Sequence, residues 1–227
     1  MTKVFLDTAS ADEIREFLSW GIGDGVTTNQ KIFLSEGNVD FKARVLEICG
    51  MKKDWPISVE TTTKGFDELV GEAREYSRWH KNVVVKVAMH GDGRGLEVVH
   101  QLAKEHIKTN MTVMMTFNQL VLASKAGATY VSLFYNRAIE AHENPLQIIR
   151  DYASLAKDND SMARLIVGSI RKTEDVALAV AAGALIMTVP FKILKQMPYN
   201  KRTEETIEEF DKAWEEFEAM KKEAIVR

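Results

Sequence analysis

The chain has 227 residues and carries 30 Lys and Arg against 33 Asp and Glu, a formal charge of −3. Its 45% hydrophobic and 28% charged residues exclude a disordered chain, and the absence of a basic block argues against a protein built to hold nucleic acid. The length suits one or two domains or a single α/β barrel, whose core needs neither disulfides nor a structural metal.

Short β-branched runs alternate with amphipathic stretches along the whole chain. The first run, residues 4–7, ends in Asp7; Asp12 and Glu13 follow closely, so no apolar signal core is expected. A helix over 11–20 follows, with Ser10 as its N-cap. The next strands are expected at 25–28, 56–61 and 82–88, with a helix over 66–80 whose Leu69, Ala73, Tyr76 and Trp79 share one face. Between them lies the only cysteine, Cys49, among Leu46 and Ile48. It has no internal disulfide partner and reads as a buried structural thiol in a reducing compartment.

Further along, helices at 96–106, 117–125, 145–157 and 173–182 alternate with strands at 107–112, 129–134, 164–169 and 185–189. Gly127 and Gly183 stand where a helix C-cap needs positive φ, immediately before a strand. Several strands are continuously apolar, as in Val83-Val84-Val85, which suits strands covered on both faces. Eight such units at about 28 residues each predict a compact (β/α)8 barrel over residues 1–200. A doubly wound open sheet is the competing fold, but no Gly-x-Gly-x-x-Gly follows the first strand. The last segment, 201–227, contains a helix at 203–222 with Ile207, Phe210, Trp214 and Phe217 in one stripe; it either closes its own barrel or docks on a neighbouring subunit. The longest apolar runs, at 177–180 and 184–187, fall far short of the ~20 residues a membrane helix needs. A cytoplasmic protein without membrane or nucleic-acid partners is expected.

A barrel's chemistry sits at the C-terminal ends of its strands, so polar residues there carry the information. They are Asp7, Thr27 to Asn29, Glu60, Lys86, Asn110 with Thr112, Ser132, Asn136-Arg137, Ser169 with Arg171, and Thr188. Lys86, flanked by valines, is the central one. A lysine inside a closed barrel is desolvated, and desolvation favours the free amine that attacks carbonyls. The alternative is an edge lysine that snorkels to solvent. Asp7 and Glu60 can relay the protons that Schiff-base chemistry requires. Arg137, Ser169 and Arg171 suit an anion, through guanidinium forks and backbone N–H groups at a helix N-terminus; solvated loop arginines are the alternative. His80, His90, His100, His106 and His142 lack metal-ligand spacing, so no metal or cofactor is expected.

These residues fall in segments that resemble the small transaldolase family, which includes the fructose-6-phosphate aldolases. The matching pieces are Phe5-Leu-Asp-Thr-Ala9, Gly25-Val-Thr-Thr-Asn29, Ser58-Val-Glu60, Val84-Val-Lys-Val87, Asn110-Met-Thr112, Ala126-Gly-Ala-Thr-Tyr-Val-Ser132, Gly168-Ser-Ile-Arg171 and Thr188-Val-Pro190. The resemblance implies a Schiff base on Lys86, with Asp7 assisting carbon–carbon cleavage and Glu60 and Thr112 holding a proton-shuttling water. It implies donor hydroxyls held by Thr27, Asn29 and Asn110, and a phosphate held by Arg137, Ser169 and Arg171. Such enzymes move a dihydroxyacetone unit from a ketose phosphate, such as sedoheptulose 7-phosphate or fructose 6-phosphate, to an aldose phosphate, without cofactor or metal. They often form pentameric or decameric homo-oligomers in which the C-terminal helix reaches a neighbour.

At Glu60, Asn110 and Phe134 the chain resembles the transaldolases; the aldolase branch resembles Gln, an apolar residue and Tyr there. Elsewhere it departs from the family. Gln30-Lys31 follows Asn29 where Pro-Ser is usual, Ala138-Ile139 follows Arg137 where an acidic pair is common, and the loop Met89-His90-Gly91-Asp92 is unlike the family's. A fructose-6-phosphate aldolase, or a divergent phosphosugar-binding barrel, is therefore the alternative function.

Overall fold

The computed structural model describes residues 1–157 and 159–226, with residues 223–226 described by backbone alone. Eight parallel strands close into a barrel in sequence order: β1 (Lys3–Asp7), β2 (Gly23–Thr27), β3 (Ile57–Glu60), β4 (Val83–Ala88), β5 (Thr109–Met114), β6 (Tyr130–Phe134), β7 (Arg164–Gly168) and β8 (Ile186–Pro190). β8 pairs with β1, which removes every sheet edge and with it the edge-lysine alternative for Lys86.

Eleven helices are described. They are α1 (Ala11–Ser19), α2 (Gln30–Ser35), α3 (Phe41–Met51), α4 (Phe66–Trp79), α5 (Arg94–Lys104), α6 (Phe117–Ala126), α7 (Tyr135–Glu140), α8 (Pro145–Lys157), α9 (Thr173–Ala181), α10 (Phe191–Leu194) and α11 (Lys201–Val226). α1, α4, α6, α8 and α9 lie within a residue of the ranges expected for them. Ser10 caps α1 by accepting from Glu13 N–H, and Gly127 and Gly183 take φ of +101° and +107° after α6 and α9. α5 starts earlier than expected because Gly93 at φ +85° serves as its N-cap. Gly95 in its first turn has no Cβ to strike Ala88 O, so the helix can sit against the end of β4.

Three further differences have local causes. The β2–β3 crossover contains α3, which the pattern reading missed; Asp40 caps it by accepting from Ala43 N–H at 2.7 Å, and Val45, Ile48 and Cys49 are its buried face. β5 runs two residues beyond the expected end at Thr112 because a one-residue bulge lets it continue past that point. α11 starts before Thr203 because Asn200 Oδ1 accepts from the N–H groups of Arg202 and Thr203 at 2.9 and 3.2 Å.

Strand residues alternate between the barrel interior and the helix layer. The interior floor is apolar: Phe5, Val84, Tyr130, Ile166 and Ile186 form one buried cluster. Gly25 belongs to this floor, since a Cβ there would lie 2.9 Å from the Phe5 ring. One step further toward the strand C-termini the interior positions become polar, at Asp7, Thr27, Ser58, Glu60, Lys86, Asn110, Ser132 and Thr188. The floor seals one end of the barrel and leaves the chemistry at the other.

By contact density the chain forms two compact units, Met1–Ile193 and Leu194–Arg227. The first is the barrel. Within the second, α11 carries Ile207, Phe210, Trp214 and Phe217 exposed, with the Trp214 and Phe217 rings tilted against each other at 5.5 Å and Arg202 pairing with Glu209 along the helix. Among the described residues, no helix is long and apolar enough to cross a membrane.

Candidate active site

Parallel register sets Lys86 directly between Glu60 on β3 and Asn110 on β5. Its side chain is 5% exposed, and its Nζ has two fixed partners: Glu60 Oε2 at 3.1 Å and the Thr28 carbonyl, to which it donates at 2.8 Å. A buried ammonium needs such pairing. The amine end is thereby held while Lys86 still lines an open cavity.

Asp7 ends β1, opposite Thr27 in the β1–β2 register. The Thr27 hydroxyl donates to Asp7 Oδ1 at 2.7 Å, and the Thr188 hydroxyl lies against Thr27 Oγ1. Burial pushes the Asp7 carboxyl above its ordinary value. The positive charge of Lys86 and the Thr27 hydrogen bond oppose that push, and Glu60 adds to it. The fold thus makes Asp7 readier to hold a proton than a solvated aspartate, which suits a group that takes a proton from a substrate hydroxyl and returns it.

The cavity at this end of the barrel encloses about 160 Å³. Asp7, Thr27 and Asn29 line one side, Lys86 and Thr112 the middle, and Ser132, Phe134, Arg137 and Ser169 the other side. Asn29 does double duty, because its Oδ1 also accepts from Ile32 N–H and caps α2. Thr112 Oγ1 is buried and has no hydrogen-bond partner among the described residues, so its hydroxyl is left for something in the cavity.

Three of the expected residues do not reach this cavity. Glu60 borders a second, apolar chamber of about 180 Å³ beside Phe33 and Phe41, and meets the first cavity through Lys86. Asn110 is wholly buried in the wall, accepting from Ser132 Oγ at 2.7 Å and donating to Ser58 Oγ at 3.2 Å. It holds the serine that lines the cavity. Arg171 points its guanidinium at Glu140, with Nη1 2.6 Å from Oε1 and both side chains about half exposed. That contact holds the Glu140 carboxyl below the usual range.

The corner between β6 and β7 is built around a buried acid. Asp175 Oδ2 accepts from Asn136 Nδ2 at 2.7 Å and from the backbone N–H groups of Arg171 and Lys172 at 3.0 and 3.2 Å. Those two N–H groups are therefore already occupied within the corner. Asn136 Nδ2 also donates to the carbonyl of Ser169, which stands in the left-handed region at φ +59°. Arg137 lines the cavity beside Ser169, with its guanidinium carbon 5.9 Å from the Phe134 ring centroid.

The chain matches the family model "Transaldolase/Fructose-6-phosphate aldolase" over residues 4–226. A probable transaldolase of Caldicellulosiruptor saccharolyticus is 44% identical over 94% of this chain and 97% of its own length. One from a Thermoanaerobacter species is 42% identical over 93% and 96%. The chain belongs to the transaldolase/fructose-6-phosphate aldolase family. A solved structure described as "Native KDPGal structure" superposes with a TM-score of 0.54 at 16% identity, over 83% of this chain and 81% of its own, and shares the barrel fold.

Several groups in this family member's site had no assigned role from sequence. Thr188 stood out only as a polar strand end, and it completes the hydroxyl chain to Asp7. Asp175 carried a faint signal as an acid in the first turn of the helix after Gly168-Ser-Ile-Arg171. The Thr28 carbonyl carried none, because a backbone acceptor has no residue signature.

Proposed function

We propose that the protein is a transaldolase that moves a dihydroxyacetone unit between sugar phosphates through a Schiff base on Lys86. The observation that carries this reading is the buried Lys86 Nζ, held at 3.1 Å from Glu60 and opening on a polar cavity that also contains Asp7. Lys86 gives up a proton to Glu60 and attacks the C2 carbonyl of a ketose phosphate. The carbinolamine loses its oxygen as water to form an iminium, with protons carried by Glu60 and a water held on Thr112 Oγ1. Asp7 takes the C4 hydroxyl proton as the C3–C4 bond breaks, and the bond's electron pair is drawn into the iminium to leave an enamine. The aldose phosphate departs, a second aldose accepts the enamine carbon, and the steps reverse to free the amine.

Thr27, Asn29, Ser132 and the Asn110 behind it set the donor hydroxyls. Arg137 and Ser169 take the phosphate, and Arg171 joins them by leaving Glu140. A cytoplasmic homo-oligomer joined through the exposed apolar stripe of α11 accords with this reading.

The test is a transfer assay. Fructose 6-phosphate and erythrose 4-phosphate should yield sedoheptulose 7-phosphate and glyceraldehyde 3-phosphate, and fructose 6-phosphate alone should yield little free dihydroxyacetone. Fast release of dihydroxyacetone without an acceptor would establish the aldolase reading instead. Phe134 favours transfer, because its ring lines the cavity without a hydroxyl that could help water protonate the enamine. Phe134→Tyr should raise dihydroxyacetone release several-fold.

A further inference from the structure

β5 contains a feature that the reaction described above does not use. Met111 pairs with Val131, but Met114 pairs with Leu133, so Thr112 and Val113 together stand opposite the single residue Ser132. Val113 has φ +62°, in the left-handed region where a β-branched residue is strained. Bulges of this type usually place glycine there, and bulges in parallel sheets are rare. Such strain persists only where the surroundings fix it. Here the strand is anchored on both sides of the bulge. Ladder pairs flank it, and Gln119 Oε1 accepts from the N–H groups of Met115 and Thr116 at the start of α6.

The consequence is one of phase. Asn110 and Thr112 face the barrel interior, so an unbroken strand would place Met114 inside as well, opposite Phe134 and above Lys86. With the extra residue, Met114 instead aligns with Leu133, lies fully buried, and is not among the cavity-lining residues. In a cavity of about 160 Å³ a methionine side chain would displace much of the substrate.

We infer that the Thr112-Val113 bulge is a space-making device for the sugar site. Left-handed Val113, a positioning residue, turns Met114 into the helix layer and leaves Thr112 as the last β5 side chain in the cavity. The kinetic consequence rests on the transaldolase reading; the direction in which Met114 faces does not.

Three variants test it. Val113→Pro cannot take a positive φ, so it closes the bulge with the residue count unchanged and brings Met114 opposite Phe134; it should raise the KM for fructose 6-phosphate at least about tenfold and lower kcat by up to ~100-fold, since small misplacements at a reacting centre have large effects. Met114→Ala alone should leave KM within twofold and lower Tm by about 5–10 °C, as expected for a side chain packed among helices. Val113→Pro combined with Met114→Ala should recover KM toward the parent, because the side chain that enters the cavity is then gone. An unchanged KM in Val113→Pro, no recovery in the combination, or a KM change in Met114→Ala alone would each overturn the inference. If Val113→Pro does not fold, Met114→Ala still decides where that side chain faces. Failure of the parent to form a borohydride-trapped adduct with fructose 6-phosphate would sink the transaldolase reading and leave the Met114→Ala stability result standing.

Discussion

Removing Glu60 should destabilise the barrel through Lys86. Glu60 Oε2 lies 3.1 Å from a lysine side chain that is 5% exposed, and Glu60 itself is 13% exposed. Breaking a buried pair by truncating one partner leaves an uncompensated charge and costs about 3–5 kcal/mol. Lys86 would keep the Thr28 carbonyl at 2.8 Å and its attraction to Asp7. The lower end therefore applies, and Glu60→Ala should lose about 3 kcal/mol, or roughly 6–12 °C in Tm for a chain of this size. In a Lys86→Met background no ammonium is left behind, so the same substitution should cost about 1 kcal/mol or less. Urea unfolding of the four proteins at one protein concentration, pH 7, gives the coupling directly. A coupling of about 2 kcal/mol is expected, and one below ~0.5 kcal/mol would show that the pair is not the buried, mutually dependent unit described here.

Asp7→Asn should raise Tm at pH 7 while abolishing transfer. Burial holds the Asp7 carboxyl above its ordinary 3.8, so the fold prefers the protonated form. Its favourable contribution is complete below 3.8 and is lost as pH rises through the raised value, so the Tm advantage of Asp7→Asn should be absent at low pH and grow toward neutrality. A Tm gap independent of pH would contradict the assignment. Glu140→Gln releases Arg171 from its 2.6 Å contact and should lower the KM for phosphorylated ketoses about two- to fivefold, with no change for unphosphorylated dihydroxyacetone. An equal change for both donors would show that Arg171 does not act on the phosphate.

The barrel was legible because its signals are local and repeated. Continuously apolar strands, Ser10 as a cap and Gly127 and Gly183 as C-caps each mark one unit. α3 escaped notice because its buried face of Val45, Ile48 and Cys49 is short and its apolar residues are only weakly segregated. The convergence of Asp7, Lys86, Thr112 and Arg137 was legible once strand ends were known, since a closed barrel brings strand ends together whatever their separation in sequence. What pairs with what was not. The capture of Arg171 by Glu140, and the use of the Arg171 and Lys172 N–H groups by Asp175, depend on side-chain directions in two adjoining loops. The bulge at Val113 was the least legible of all, because a valine in a run of β-formers gives no hint of a left-handed backbone. Its mark was the displaced end of β5.

Borohydride reduction in the presence of fructose 6-phosphate, followed by intact-mass and peptide mapping, tests the central claim most directly. A single stable adduct of a reduced dihydroxyacetone or hexose phosphate unit on Lys86, absent from Lys86→Met, is the expected result. No adduct in the parent, or an adduct that persists in Lys86→Met, would contradict it.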